Sequence, residues 1–243
     1  VRRYKNHRPV SKFLYAGIFI FFAGTLLSVL TDVSTPLIGL HQARVICGWL
    51  RWIGGFSTAL GVVRTIFLRR KRKMRKAATD AAGLLGERQT ADVLLQLDGS
   101  YRVFHRIFLY RRGVRQEFDH IVVGRHGVFH IESKNWKGDI DVSDHGVRRS
   151  VAGDFHDPID QMKRHQNLIT ELLRDNGVVC DVTGILCFTN RHANLTGHSS
   201  KYKVIRLDSL LQTIHRQLHG PTIGKDEAER IAHVIQHHSQ KHA

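Results

Sequence analysis

Eighteen residues from Phe13 to Leu30 (FLYAGIFIFFAGTLLSVL) carry no charge, and a second apolar stretch, Val45 to Leu68, is broken only by Arg51 and Arg64. About 20 apolar residues cross the hydrocarbon core of a bilayer, so the first run predicts a transmembrane helix over about 13–30. A secretory signal is its rival, since basic residues precede it, but Thr31-Asp32-Val33 does not resemble a cleavage site. The second run predicts a helix over about 45–63, with Arg51 snorkelling near one end. Gly54/Thr58 and Ser57/Gly61 place small residues four apart, which lets a partner helix approach closely. An amphipathic or re-entrant segment is the other reading of this stretch.

From Ala77 onward the pattern is that of a globular domain. Gly83–Leu97 has helical spacing, with Leu84, Leu85, Ala91, Leu94 and Leu95 apolar. Arg102–Tyr110, Glu117–Val123 and Val128–Lys134 read as strands, the last two joined by a turn at Gly124-Arg125-His126-Gly127. Asp157-Pro158 opens a helix, the Asp as N-cap and the Pro in the first turn; Ile159, Met162, Ile169, Leu172 and Leu173 trace its apolar side. Thr183–Phe188 and Lys203–Leu207 read as further strands, and Ser209–Leu218 and Asp226–His238 as helices. Helix, three strands, helix, two strands and helices predict an α/β fold: a mixed sheet, antiparallel early and crossover-connected later, flanked by helices.

Charge sharpens the division. The 243 residues hold 37 Lys+Arg against 21 Asp+Glu, a net +16, but residues 1–76 hold 15 of the basic residues and one acid, Asp32. The remainder is nearly balanced, at +2. Arg2, Arg3, Lys5, Arg8 and Lys12 precede the first apolar run, and seven basic residues between Arg69 and Lys76 follow the second. Positive clusters mark the cytoplasmic side, and both lie there only if the chain crosses twice. The expectation is a transmembrane helical hairpin in residues 1–68, a polybasic juxtamembrane linker at 69–82, a catalytic-type domain at 83–207 on the cytoplasmic side, and C-terminal helices and tail at 208–243. Arg69–Lys76 then suits anionic membrane lipids. Three cysteines without a CxxC exclude a disulfide framework and a cysteine zinc site.

Candidate chemistry centres on Glu132-Ser133-Lys134. Alternation puts His130, Glu132 and Lys134 on one face of their strand and Phe129, Ile131 and Ser133 on the other. Asp119 lies in an apolar run, where a charge is costly unless paired or metal-bound, and the hairpin lets it converge on Glu132. Two carboxylates beside a lysine suit metal-assisted phosphodiester hydrolysis. The carboxylates offer oxygen ligands to a hard divalent cation such as Mg²⁺, and the lysine offsets developing charge. Taken as an isolated triplet, Glu-x-Lys is better read as a plain salt bridge beside an ordinary paired Asp.

Around that triplet, Gly83-Leu84-Leu85-Gly86-Glu87, Glu117–Val123, Gly127–Gly138 and Asp157-Pro158 with Gln161 stand in an order and spacing that resembles the nuclease-related domain (NERD) family, a branch of the PD-(D/E)XK nucleases. The resemblance runs from Gly83 to about Thr196. It implies a restriction-endonuclease-like mixed sheet, a divalent metal cofactor, Mg²⁺ or Mn²⁺, and a nucleic acid substrate, DNA before RNA. It places Asp119, Glu132 and Lys134 at the core catalytic positions and Glu87 beside Asp119 and Glu132 as a further metal-binding acid. Gln161 it puts near the site, in contact with substrate or water; an exposed polar pair with His165 reads equally well. Ser133 stands where the family usually has Thr.

Arg111, Arg112 and Arg115 are candidates for a phosphate-tracking surface, and Trp136 with Arg148-Arg149 for a nucleic-acid contact. The 15 histidines of residues 77–243 show no zinc-site spacing. The expectation is therefore a membrane-tethered, metal-dependent nuclease. Its alternatives are a membrane-anchored nucleic-acid- or protein-binding module without turnover, or a structural membrane protein.

Overall fold

The computed structural model describes residues 15, 17–23, 25–26, 40–149, 157–216 and 222–240. The chain divides into two compact units, residues 1–78 and 79–243.

Helix α1 runs from Leu40 to Leu94. It contains the stretch 45–63, passes through the basic run, and ends in the segment where helical spacing was expected. No Gly or Pro falls between residues 62 and 82, and Arg, Lys, Ala and Met are good helix formers. The region expected to be a linker is thus helical. The transmembrane hairpin is not supported. Among the described residues no helix is long and apolar enough to cross a membrane, and residues 13, 14, 16, 24 and 27–30 of the expected span lie outside them. Over 45–63, Arg51 and the Gly, Ser and Thr residues dilute the hydropathy. Within the first unit, residues 17–23 are helical and pack closely on α1. A Cβ on Gly54 would lie 2.6 Å from the Phe21 amide nitrogen, and one on Gly17 would lie 2.8 Å from that of Thr58. Small residues are what permits this approach.

The second unit is built on a five-stranded sheet, from β1 (Arg102–Arg111), β2 (Val114–Gly124), β3 (Gly127–Lys134), β6 (Val182–Phe188) and β8 (Lys203–Arg206) in that spatial order. The first three are antiparallel; β6 pairs parallel with β3 and β8 parallel with β6. This is the mixed sheet expected. Arg112 and Gly113, both at positive φ, make the two-residue turn between β1 and β2.

Helices flank the sheet. On one face α2 (Pro158–Asp175) and α4 (Lys225–Gln240) bury Ile169, Leu172, Leu173, Ile231 and Ile235 against Phe118, Ile121, Val123 and Val128. On the other, the end of α1 and α3 (Leu210–His215) cover Val122, Phe129, Ile131 and Ile185 with Leu94, Leu210 and Ile214. Strand β3 is therefore buried on both faces, each large apolar side chain contributing about 1.5–3 kcal/mol. Asp157 caps α2 as expected, accepting from the Ile159 amide at 2.9 Å.

A second sheet, β5 (Gly146–Arg149), β4 (Gly138–Ser143) and β7 (Ala193–Gly197) in spatial order, packs Ile140, Val142 and Val147 on Ile159, Met162 and Phe188. The sequence reading did not assign these strands.

One irregularity matters for the site. The pairs from Arg102–Val123 to Arg111–Val114 keep a single register. Yet Phe104 and Ile107 on β1, and Phe118 and Ile121 on β2, all pack in the same cluster. Residues three apart share a face only where strict alternation slips by one. The slip falls at Arg106, whose φ is 48°, and at Asp119 across from it.

Candidate active site

Asp119, Glu132 and Lys134 come together where β2 and β3 part. The β2–β3 ladder ends at His120–Ile131. One residue further, the Asp119 carboxylate accepts the Ser133 amide at 2.8 Å. Glu132 is 3% exposed. Its Oε1 pairs with Lys134 Nζ at 2.5 Å, and its Oε2 is buried with no hydrogen-bond partner. Burial first, and the Asp119 charge second, push the Glu132 carboxyl up to about 7, against the pull of Lys134. Asp119 is raised as well, by burial, while the Ser133 amide and Lys134 oppose the shift.

Helix α2 supplies two more groups. Gln161 Oε1 lies 3.5 Å from Lys134 Nζ, so the glutamine belongs to the site region and is not merely an exposed partner of His165. His165, one turn on, is buried, with Nδ1 3.6 Å from the free Glu132 oxygen. Its ring packs on Phe118 at 4.3 Å between centroids. Burial, then Arg164 and Lys134, push its pKa down to about 4, so the ring is neutral near pH 7. From the sequence His165 was expected only as the exposed partner of Gln161 at i+4; its burial beside Glu132 was not expected.

Helix α1 brings Glu87. A Cβ on Gly86 would lie 2.8 Å from Thr189 Oγ1 and 3.0 Å from Asn135 Cβ, so the glycine allows the helix to sit directly on the ends of β3 and β6. Asn135 Nδ2 donates to the Ala82 carbonyl at 2.8 Å, and Ser133 Oγ donates to Thr90 Oγ1 at 2.9 Å. Ser133 is thus a contact to the helix on the face away from Glu132. The Glu87 carboxyl is raised by burial and then by Asp119, with Arg106 opposing; Arg106 Nε lies 3.3 Å from its Oε2. Exposed Glu117 raises both Glu87 and Asp119. It was part of the matched segment but had not been singled out.

Hard carboxylate oxygens and one orphaned buried Glu132 oxygen suit a cation such as Mg²⁺. Glu132 rests on Lys134 and Glu87 on Arg106, and among the described residues no three His, Cys, Asp or Glu side chains are gathered as a metal-ligand group.

Other candidates resolve differently. Arg111 pairs with Glu171 and Asp175, and Arg112 with Asp175. Arg115 lies 3.8 Å over the Phe108 ring. Arg111 is therefore held by α2 carboxylates. Arg149 sits over Trp136 at 5.9 Å and donates to the Lys137 carbonyl. Beside Lys134 opens a cleft of about 390 Å³ lined by Trp136, Asp157, Asp160, Gln161 and Arg164. His130 and His120 are both buried and pushed down to about 3 by burial; His120 meets His105 at 2.8 Å between Nδ1 atoms.

Residues 82–189 match the family model of the nuclease-related domain, NERD. The match begins within α1 and ends just after β6, so the matched segment takes in Glu87, Asp119, Glu132, Lys134 and Gln161. An uncharacterized protein of Bacillus anthracis is 27% identical over 162 residues, covering 63% of this chain and 74% of the relative. No solved structure matches.

Proposed function

We propose that the nuclease-related domain is a metal-dependent nuclease that hydrolyses phosphodiester bonds of nucleic acid, DNA in the first instance. The observation that carries this reading is the buried corner in which Lys134 holds one oxygen of Glu132 while the other makes no hydrogen bond, His165 Nδ1 standing 3.6 Å off, with Asp119 close enough to raise its pKa. A carboxylate left orphaned in the interior is costly unless a cation or proton completes it. Asp119 and Glu132, with Glu87 once released from Arg106, would hold a Mg²⁺ or Mn²⁺ ion. Such an ion would polarise the scissile phosphate and stabilise its developing charge. Lys134, at the mouth of the cleft, offsets charge on the phosphate oxygens, and Gln161 orients substrate or water through its amide. His165 positions Glu132 from behind.

A second reading, nucleic-acid or protein binding on the same fold without turnover, is favoured by one observation: Glu132 is paired with Lys134 and Glu87 with Arg106.

The test is cleavage of plasmid DNA, single-stranded DNA and RNA by the full chain with Mg²⁺, Mn²⁺ or EDTA, beside Glu132→Gln. Metal-dependent cleavage absent in Glu132→Gln is the expected result and identifies the substrate. Binding that survives in Glu132→Gln, with no cleavage by either protein, replaces the nuclease with the binding module.

A further inference from the structure

The first unit presents an apolar face that no described residue covers. Trp49, Trp52, Ile53, Phe56, Leu60, Val63 and Phe67 recur at three- and four-residue spacing along α1, and all are more than half exposed. At 100° per residue they form one stripe. The opposite side of the same helix carries Gly54, Thr58 and Gly61, with Gly54 and Thr58 packed against residues 17–23. Small residues thus hold the helix to its neighbour while aromatic and branched residues face outward, the reverse of a water-soluble helix pair. The next turns carry Arg69, Arg70, Lys71, Arg72, Lys73, Arg75 and Lys76, all exposed. No acid lies between Asp32 and Asp80.

We infer that this stripe and the basic run after it form one docking surface for an anionic phospholipid bilayer. Its aromatic side chains enter the interface, and the arginines and lysines meet the lipid phosphates. Charge complementarity selects this occupant. A nucleic acid would neutralise the basic run but leave Ile53, Leu60 and Val63 in water. A second copy of the chain would cover the stripe but bring another strongly basic segment toward the first. Anionic lipid satisfies both halves, and tryptophan beside a basic cluster is the composition of interfacial segments. The inference concerns the first unit and does not depend on catalysis in the second.

The experiment is co-sedimentation of the full chain with phosphatidylcholine vesicles, with and without about one third phosphatidylglycerol. It is repeated for Trp52→Ser/Phe56→Ser and for a variant with Arg69, Arg70, Lys71 and Arg72 changed to Gln. The altered side chains are exposed, and circular dichroism verifies that each variant keeps its helix. The expected result is a partition at least tenfold stronger onto anionic vesicles, lost at high salt. The Ser variant lowers partition onto both vesicle types, Trp52→Phe/Phe56→Trp restores it, and the Gln variant removes the preference for anionic lipid. Partition unaffected by the Ser variant would overturn the inference, since binding would then come from elsewhere in the chain. So would light scattering that shows the Ser variant dissolving a dimer while vesicle binding persists. So, too, would a Gln variant that loses only DNA binding.

Discussion

The Asp119 carboxylate accepts the Ser133 amide at 2.8 Å, one residue beyond the last ladder pair of β2 and β3. A side chain thereby takes the backbone donor that the neighbouring strand no longer reaches. The bond fixes Asp119 against the strand bearing Glu132 and Lys134, and the first expectation follows from it. Asp119→Asn keeps an oxygen able to accept the amide but removes the charge. Without metal, thermal unfolding at pH 8 should move upward, since burial raises the Asp119 carboxyl, while metal-dependent cleavage falls by about 10²–10³-fold, on the scale of losing one preorganised electrostatic group.

The pH dependence of stability follows from Glu132. Its carboxyl is raised from the ordinary range near 4.5 to about 7, so between those values the native protein holds a proton that the unfolded chain has released. Stability therefore falls as pH rises through that window, and the full cost is present above pH 7. Glu132→Gln should unfold at a higher temperature than the parent at pH 8 in EDTA, by about 2–4 °C for each kcal/mol relieved. The difference should close as pH falls toward 4.5. Scanning calorimetry across pH 4.5–8 checks both the sign and the window; a gap that widens on acidification contradicts the assignment.

Magnesium should reverse that ordering. A cation bound by Asp119 and Glu132 stabilises only the native state, so adding Mg²⁺ should raise the melting temperature of the parent and leave that of Glu132→Gln unmoved. Equal shifts in both proteins would place the ion elsewhere.

In the proposed nuclease His165 would position Glu132, its Nδ1 lying 3.6 Å from the Glu132 Oε2. His165→Gln retains a polar group but alters the ring that packs on Phe118. The concentration of Mg²⁺ giving half-maximal cleavage should rise about 10–100-fold, the usual cost of losing an outer-shell partner, with a smaller effect at saturating metal. A uniform loss at every metal concentration would mark a packing defect instead.

Gly86→Ala tests the helix contact that delivers Glu87. The added carbon must push Thr189 or Asn135 aside, at about 1–3 kcal/mol for an overpacked site. Both melting temperature and cleavage should fall, whereas Gly83→Ala in the same helix, whose added carbon meets nothing within 4 Å, should raise the melting temperature slightly through helix propensity and leave cleavage unchanged.

The sheet and the meeting of Asp119 with Glu132 were legible because each depends on short-range pattern: three strands, a turn at Gly124-Arg125-His126-Gly127, and a hairpin that sets opposite residues side by side. The Asp157 cap fixes where α2 begins, but only the family resemblance pointed from there to Gln161 as a residue near the site. The slip at Arg106 and Asp119 was not, since alternation assumes a regular strand. Nor were β4, β5 and β7, which are 6, 4 and 5 residues long with polar positions intermixed. Arg111 read as a free cation because its carboxylates, Glu171 and Asp175, stand about 60 residues further on, on another element. The basic run is helical because Arg, Lys, Ala and Met favour a helix whatever their charge; its charge alone suits a linker.

The shared slip of β1 and β2 ties together the lengths of two segments that are otherwise separate in the chain. A residue gained or lost in one strand alone would exchange inside for outside along the rest of that hairpin, and Asp119 would turn away from Ser133. Only matched changes on both sides of the Arg112-Gly113 turn leave the frame intact. Divergence can lengthen or shorten this hairpin beyond the slip only in pairs, while its side chains remain free to vary one at a time.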